Sequence, residues 1–173
     1  MRTFISIKLP PKILMNIKEI QDSLPDFYGK KTEIKNLHLT LKFLGETSLE
    51  LLEKVKLKLE SIDFLKFEAK LGEIGFFDKG NKGIIWISLS NCEDLQKEID
   101  LKLKGFFPEE KRFMAHLTIA RVKKLKDKKL FLEKLKKIKF SKLFFIVEKF
   151  YFMESKLKKE GPDYFVLQEY NLK

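Results

Sequence analysis

Apolar residues recur every three or four positions in four segments of the chain, which is the spacing of one face of an α-helix. The first segment follows Pro10 and Pro11, and proline is favoured in the first helical turn. The second follows Thr47 and Ser48, where the serine can cap a helix. Each stripe therefore predicts a helix with one face in the core. The stripes are Ile13, Ile17, Ile20 and Leu24; Leu51, Leu52, Val55, Leu59 and Ile62; Leu95, Ile99 and Leu103; and Phe131, Leu135 and Ile138.

Strand-like runs lie between and after these predicted helices, and several of them alternate apolar and polar residues as a half-buried strand does. The segment Gly80-Asn81-Lys82-Gly83 is a turn signal, which predicts a hairpin between the third and fourth runs. The runs cover residues 2–9, 37–44, roughly 64–77, 83–90, 115–122, 143–153 and 164–172.

The order strand, helix, strand, helix occurs twice, over approximately residues 2–62 and 83–138. Few side chains are identical between the two stretches, although Ile7 aligns with Ile85 at the 78-residue offset that separates His38 from His116. Such a repeat predicts two similar lobes. We therefore expect an α+β fold with two pseudo-symmetric lobes, mostly antiparallel sheets, flanking helices and a central cleft, in one domain over residues 1–173.

The composition is that of a packed globular domain, with 44% apolar residues and 17 phenylalanines. No apolar run approaches the ~20 residues that a membrane-spanning helix needs, so we expect no membrane association. The N-terminal segment lacks the long apolar core of a signal peptide and is interpreted as a first strand. Cys92 is the only cysteine; this excludes an internal disulfide and fits a cytoplasmic location. No unclaimed apolar stripe calls for a partner subunit, and a monomer is predicted.

A formal net charge of +11 distinguishes this chain from an average domain. A surplus of this size favours polyanions such as RNA, DNA or acidic membranes. Many of the lysines fall in residues 123–139. Abundant Lys and Glu with few Gln and Cys is also typical of thermophile proteins, so the composition predicts a thermostable protein. The charge by itself is compatible with both interpretations.

The two histidines of the chain begin the same tripeptide, His38-Leu39-Thr40 and His116-Leu117-Thr118, in similar strand-like settings. Alternate side chains of a strand share a face, so each histidine should lie beside its threonine while the leucine between them anchors the core. Two imidazoles can accept and donate protons in one phosphoryl reaction, and two threonine hydroxyls can donate to phosphate oxygens. The pattern therefore predicts acid–base chemistry on a phosphate.

Other site types fit the sequence less well. Zinc sites normally use three or four histidine, cysteine or carboxylate ligands, and two histidines on separate strands are a poor set. The chain has no phosphate-binding glycine loop and no dinucleotide fingerprint. No metal and no cofactor is predicted. Nothing around Cys92 indicates an activated thiol, and a small buried residue near a helix start is the expectation.

Paired His-x-Thr motifs resemble those of the 2H phosphoesterase superfamily, and in particular its RNA 2′,3′-cyclic phosphodiesterase branch, also called the 2′–5′ RNA ligase family. Residues 2–10, 38–46 and 116–121, together with Gly161-Pro162-Asp163-Tyr164, match family motifs, and the similarity covers nearly the whole chain. The chain departs from the pattern at two places. Ala115 stands where many members have proline, and no tryptophan precedes the first motif. Both departures bear on substrate fit.

The resemblance implies opening of a 2′,3′-cyclic phosphate at an RNA end to leave a 2′-phosphomonoester, with tRNA fragments among the candidate substrates. It implies His38 as the proton donor and His116 as the proton acceptor, with Thr40 and Thr118 binding phosphate oxygens. Arg121 is a candidate phosphate ligand because its guanidinium suits phosphate, and Phe43 is a candidate for stacking on a base. Strict alternation places Phe43 and Arg121 on the face opposite the histidines, so the strands must twist, bulge or end before these residues.

Two alternatives remain open at this point. The same chemistry run in reverse would join RNA ends through a 2′–5′ linkage, or the enzyme would act on another small cyclic phosphodiester. Alternatively, the chain is a basic RNA-binding module in which the His-x-Thr pair is a relic. The first alternative needs both histidines, whereas the second predicts that replacing them leaves binding intact.

Overall fold

The computed structural model describes residues 1–173 as nine β-strands and four α-helices, an α+β fold. The helices are α1 (Pro11–Asp22), α2 (Leu49–Glu60), α3 (Glu93–Lys102) and α4 (Lys128–Lys137), with one 3₁₀ turn at Ile34–Asn36. The strands are β1 (Arg2–Lys8), β2 (Tyr28–Lys31), β3 (His38–Glu46), β4 (Phe67–Lys79), β5 (Lys82–Leu89), β6 (His116–Lys124), β7 (Phe144–Val147), β8 (Lys149–Lys158) and β9 (Gly161–Asn171).

All four predicted helices form, and three of them, α1, α2 and α4, begin where the sequence provides a suitable residue. Proline occupies the first position of α1. The Ser48 hydroxyl accepts a hydrogen bond from the Leu51 amide at the start of α2, at 3.2 Å. Asp127 does the same for the Leu130 amide at the start of α4, at 2.9 Å. Such side chains satisfy amides that the first helical turn leaves without partners.

The strands form one antiparallel sheet in the order β7-β4-β5-β6-β3-β1-β8-β9, and β2 pairs with β6 outside this path. The two strands that begin with histidine, β3 and β6, are neighbours, but they pair only at Leu39 and Leu117. Beyond this point their edges separate, and β2 takes the edge of β6 from Ala120 to Lys124. The sheet is therefore continuous, with a central cleft where β3 and β6 diverge.

A core of 36 buried residues fills the side of the sheet opposite the two histidines. Leu39, Leu41, Leu117 and Ile119 of β3 and β6 are at most 1% exposed. They pack in the same cluster as the apolar faces of all four helices. Burying each such side chain stabilises the fold by roughly 1.5–3 kcal/mol. The residues that alternate with the histidines thus fix both strands firmly.

Several sequence predictions needed correction. The predicted strand 143–153 is two strands, because β7 pairs with β4 whereas β8 pairs with β1 and β9. The short strand β2 was missed, since all four of its residues are exposed and give no apolar alternation. The 3₁₀ turn was missed as well. The predicted turn lies at Gly80 and Asn81, and β5 already begins at Lys82.

The two halves of the chain repeat one pairing pattern, although with a different alignment from that expected. In the first half, Ile7 pairs with Leu39 and Ser6 with Thr40. In the second half, Ile87 pairs with Leu117 and Trp86 with Thr118. The counterpart of Ile7 is therefore Ile87 and not Ile85. The common pattern places one histidine strand in each half.

Cys92 is the residue before α3, and its side chain is buried in the core, as predicted. Burial raises the pKa of its thiol to about 12, so the thiol stays protonated. None of the four helices combines the length and the apolar character needed to cross a membrane.

Candidate active site

The two histidines are held in the same way. Nδ1 of His38 lies 2.7 Å from the backbone oxygen of Asn36, and Nδ1 of His116 lies 2.7 Å from that of Met114. A carbonyl oxygen only accepts hydrogen bonds, so each Nδ1 carries a proton and donates it. This bond fixes the ring orientation and makes Nε2 the atom of each ring that can exchange a proton. Both rings line one cavity of about 540 Å³.

His38 is the more enclosed of the two rings. It lies between Phe4 and Tyr164, with ring centroids 5.0 Å and 4.9 Å away, and its Nε2 is 3.1 Å from the Thr40 hydroxyl. His116 has one aromatic neighbour, Phe77, at 5.2 Å. The two positions in the repeat thus offer different environments to the same chemical group.

Burial lowers the pKa of His38 below its usual 6.5, and the positive charge of Arg121 and proximity to His116 lower it further. The hydrogen bond to the Asn36 carbonyl opposes this shift but does not cancel it. Each cause acts on the charged imidazolium, which loses water and lies near a guanidinium. His38 is therefore neutral over more of the physiological pH range than an exposed histidine.

A β-bulge in each histidine strand brings Phe43 and Arg121 to the same face as the histidines. In β3, Thr40 pairs with Ser6 and Lys42 with Ile5, so that Leu41 is the extra residue. In β6, the pairing passes from Thr118 to Ala120, and the extra residue is Ile119. An extra residue reverses the alternation of side chains beyond it. The bulges occupy equivalent positions in the two halves.

The bulge in β6 is fixed by a side chain from α1. The buried Gln21 amide donates hydrogen bonds to the backbone oxygens of Ile119 and Thr32, both at 2.8 Å. The Thr32 amide also donates to Ile119, at 2.9 Å. Nearby, β2 passes so close to β6 that a Cβ on Gly29 would lie 2.1 Å from the Arg121 carbonyl oxygen. Arg121 is thus held by its backbone from two sides.

Lys42 is the buried residue that follows the bulge in β3. Its ammonium group forms an ion pair with Asp100 of α3 and donates to the Pro108 carbonyl at 2.7 Å. Burial acts to raise the pKa of Asp100, but hydrogen bonds from Lys42, the Glu110 amide and Gln96 hold it below its usual value. The polar groups are thereby satisfied, as a buried charge requires.

The cavity is strongly cationic. Its charged lining residues, apart from the histidines, are Arg2, Lys30, Lys31, Glu33, Arg121 and Lys123. The one acid, Glu33, already forms an ion pair with Lys30 at 2.8 Å. Arg2, Arg121 and Lys123 have no acidic partner within 4.0 Å. Cations without partners around two histidines and two threonines form a binding site suited to an anion.

The whole arrangement matches a known family. A family model described as "LigT like Phosphoesterase" matches residues 7–86 and 89–164, which is most of the chain. The chain belongs to the LigT-like phosphoesterase family. This confirms the resemblance to 2H phosphoesterases that the two His-x-Thr motifs indicate.

Relatives of this LigT-like phosphoesterase align over nearly its full length. A Methanocaldococcus jannaschii protein named RNA 2′,3′-cyclic phosphodiesterase is 36% identical, over 98% of this chain and 100% of its own. A Thermotoga maritima protein of the same name is 33% identical, over 98% of this chain and 94% of its own.

Solved structures show the same fold. A Thermus thermophilus protein structure superposes with a TM-score of 0.81 at 26% identity, covering 99% of this chain and 98% of its own. Escherichia coli LigT in its apo form also gives 0.81, at 21% identity, covering 99% of this chain and 96% of its own. The α+β architecture with its central cleft is therefore that of the family.

All six predicted site residues line the cavity of this LigT-like phosphoesterase: His38, Thr40, Phe43, His116, Thr118 and Arg121. Sequence reasoning did not assign roles to Tyr164, although its segment was noted, or to Arg2, whose guanidinium lies 4.9 Å above the Phe43 ring. One signal was available for Arg2. The chain has only three arginines among its 36 basic residues, and two of them, Arg2 and Arg121, line this cavity.

The departures from the family pattern also lie at the cavity. Ala115 is buried next to His116, and its carbonyl accepts a hydrogen bond from the Leu89 amide. The segment without tryptophan contributes Thr32, Glu33 and Asn36 to the cavity wall. No cluster of three or more His, Cys, Asp or Glu side chains that could hold a metal ion is present.

Proposed function

We propose that this LigT-like phosphoesterase hydrolyses 2′,3′-cyclic phosphates at RNA ends and leaves a 2′-phosphomonoester. His38 donates a proton and His116 accepts one in this proposal, and no metal ion takes part. Thr40, Thr118 and Arg121 bind the phosphate oxygens. The names of the relatives from M. jannaschii and T. maritima support this choice of substrate.

One observation carries the proposal: two histidines with the same Nδ1 bond to a backbone carbonyl lie in one cationic cavity. An in-line displacement at phosphorus needs a base on the attacking side and an acid on the leaving side. Two rings with their Nε2 atoms available meet this need without any further group. The bulge in β6 brings Arg121 to the face of the histidines, which supports its proposed role as a further ligand.

The reaction proceeds in one displacement. His116 Nε2 takes a proton from a water molecule while the oxygen of that water forms a bond to phosphorus. The bond from phosphorus to the 3′ oxygen breaks at the same time. His38 Nε2 gives its proton to that oxygen, so a 3′-hydroxyl and a 2′-phosphate result. The Thr40 hydroxyl and the Arg121 guanidinium stabilise the negative charge that the phosphate oxygens gain in the transition state. His38 and His116 end with their protonation states exchanged.

The remainder of the cavity suits a nucleoside. Phe43 is exposed, lines the cavity and can stack on a base. Arg2 covers part of its ring and contributes a second planar cation. Stacking of this kind tolerates any base, so the proposed enzyme acts on RNA ends irrespective of the terminal nucleotide.

The test is hydrolysis of a dinucleotide that ends in a 2′,3′-cyclic phosphate, with EDTA present. We expect a 2′-phosphate product, with a loss of about 10²–10⁴-fold in kcat for His38→Ala and for His116→Ala. Lys82→Ala, an exposed residue outside the cavity, is the control and should keep full activity. Unchanged melting temperatures would show that the histidine variants are folded.

The other outcomes separate the alternatives. Joining of the cyclic end to an RNA with a 5′-hydroxyl, lost in the same variants, would add 2′–5′ ligation by the reverse chemistry. Binding of RNA without turnover, unaffected by either histidine variant, would replace the proposal with a non-catalytic RNA-binding module. Activity that EDTA abolishes would contradict the metal-independent mechanism.

A further inference from the structure

The positive charge of the chain is concentrated in one short segment. Residues 123–142 contain ten lysines and only two acidic residues, and so contribute +8 to the formal net charge of +11. The remaining residues are nearly balanced. A uniform enrichment in lysine, as in a thermophile composition, would not produce this distribution.

Helix α4 lacks the ion pairs that the other helices form. Its only ion pair joins Lys128 to Asp78 of β4. In the other three helices, lysines pair with acids about one turn away, which neutralises those surfaces. These pairs are Lys18–Asp22, Lys54–Glu50, Lys56–Glu53, Lys97–Asp94 and Lys102–Glu98.

Nine of the ten lysines in this segment are exposed and form no ion pair, and we term six of them the lysine strip. They are Lys123 and Lys124 at the end of β6, Lys126 in the following turn, and Lys129, Lys136 and Lys137 on α4. The three on α4 are seven and eight positions apart, so they share one helix face. That face is opposite the buried Phe131 and Leu135, which pack on the core.

The lysine strip begins inside the cavity. Lys123 is part of the cavity wall, two residues beyond Arg121. Tyr28 of β2 pairs with Lys124, is 52% exposed, and has the Lys126 ammonium 5.7 Å from its ring centroid. A single strand of nucleic acid leaving the cavity at this end would meet cations and an exposed aromatic ring in turn. These are the two elements of surfaces that bind single strands.

The direction of the two strands decides which part of the substrate reaches the strip. Since β3 and β6 are antiparallel and pair at Leu39 and Leu117, Phe43 and Lys123 lie on opposite sides of that pairing. In a ribose, the base is attached next to the 2′ end of the 2′,3′ edge and the 5′ carbon next to its 3′ end. With the cyclic phosphate at the histidines and the base on Phe43, the 5′ chain therefore points toward Arg121 and Lys123.

We propose that the lysine strip binds the backbone phosphates of single-stranded RNA upstream of its cyclic end. The proposal rests on the proposed function, because the position of the cyclic phosphate sets the direction of the chain. It makes the enzyme selective for RNA ends over free cyclic nucleotides, through contacts outside the cavity.

The test compares an RNA of about 12 nucleotides, within the range of single-strand binding sites, with a dinucleotide, both ending in a 2′,3′-cyclic phosphate. The variant Lys129→Gln/Lys136→Gln/Lys137→Gln removes three charges at little cost in helix propensity. We expect kcat/KM to fall about tenfold for the longer RNA at low salt and to change less than about twofold for the dinucleotide. The matched control, Lys54→Gln/Lys56→Gln/Lys58→Gln on α2, removes the same charge elsewhere and should affect neither substrate.

Binding of the same RNA with an ordinary 3′-hydroxyl, measured by fluorescence anisotropy, separates this inference from the proposed function. The slope of log affinity against log salt concentration should decrease by about 2 in the α4 variant, since each phosphate contact to a single strand contributes about 0.7. This holds even if the wild type hydrolyses neither substrate. An unchanged slope, or an equal loss in the α2 control, would overturn the proposal.

Discussion

At the scale of residues, the site shows how one sequence motif acquires two chemical characters. His38 and His116 have the same bond from Nδ1 to a backbone carbonyl two residues earlier. His38 is enclosed by Phe4 and Tyr164, and burial and the charge of Arg121 lower its pKa. A histidine with a lowered pKa is a stronger acid when protonated. The lowered pKa also reduces the fraction of His38 that is charged near neutral pH. The negative charge of a bound phosphate acts in the opposite direction and favours the charged ring that the proposed proton donor requires.

The pH dependence of hydrolysis tests this role. Because the proton donor must be charged, kcat/KM should fall as the pH rises through the pKa of His38, which lies below the usual 6.5 in the free protein. Arg121→Met removes one cause of the lowering, so this decline should move to higher pH, with a lower overall rate. Lys31→Met removes a cation from the same cavity that is not among those causes and should leave the decline in place.

Rates measured from about pH 4.5 to 9 in buffers of constant ionic strength would provide the profile. An increase in kcat/KM through the range in which His38 loses its proton would make His38 the base and reverse the assignment. A decline that stays in place in Arg121→Met would remove the electrostatic link between these two residues.

At the scale of elements, the bulges mark the limit of what the sequence pattern could predict. In β6, the buried residues are first the odd-numbered Leu117 and Ile119 and then the even-numbered Ala120 and Val122. All four are apolar, so this shift in the alternation is visible in the sequence. In β3, the corresponding buried residue is Lys42, whose charge hides the change and whose partner Asp100 is distant in the chain. Alternation therefore located the histidines and threonines but placed Phe43 and Arg121 on the wrong face.

Gln21 links α1 to the bulge in β6, and its replacement should affect both stability and activity. Gln21→Leu keeps a similar volume but removes two buried hydrogen bonds, to Thr32 and Ile119. The free energy of unfolding should fall by about 2 kcal/mol, because two carbonyl oxygens lose the Gln21 donor and only that of Ile119 keeps another one, the Thr32 amide. We expect kcat/KM for the dinucleotide to fall severalfold as Arg121 shifts. Urea denaturation and initial rates measure the two effects.

Gln96→Leu is the matched control for this prediction. Gln96 is also a buried glutamine on a helix, but its amide donates to Asp100 at 2.7 Å, away from the cavity. It should lower stability by a similar amount and change kcat/KM less than Gln21→Leu does, because Lys42 keeps its ion pair with Asp100. Equal losses of activity in both variants would indicate a general effect of destabilisation, and would contradict a specific role for Gln21 in placing Arg121.

At the scale of the whole molecule, the two halves share one sheet and one core of 36 residues. The predicted single domain over residues 1–173 should therefore unfold in one cooperative step. Trp86, the only tryptophan, lies in β5 and reports on the second half through its fluorescence. Far-UV circular dichroism reports on the complete chain. We expect coincident transitions by both probes, and a thermal midpoint above about 60 °C if the lysine-rich composition reflects thermostability.

A fluorescence transition separated from that in circular dichroism would show that the halves unfold independently, and would contradict the single domain.

The sequence predicted most helices and strands because their apolar faces are regular. It could not predict β2, whose pairing depends on an edge of β6 that only the assembled sheet creates. The continuity of the sheet depends in the same way on assembly, because β3 and β6 are joined through a single residue pair, Leu39 and Leu117.

The pairing of β2 with β6 has a consequence for the two halves as separate polypeptides. β2 precedes the first histidine in the chain but completes the sheet next to the second. Cleavage at the tight turn of Gly80 and Asn81 would thus give two fragments, each lacking a neighbour that the other supplies. Neither would form a working half-site alone, and mixing them would restore the cavity by complementation. Although the fold repeats a motif, we therefore expect the two halves to function only together.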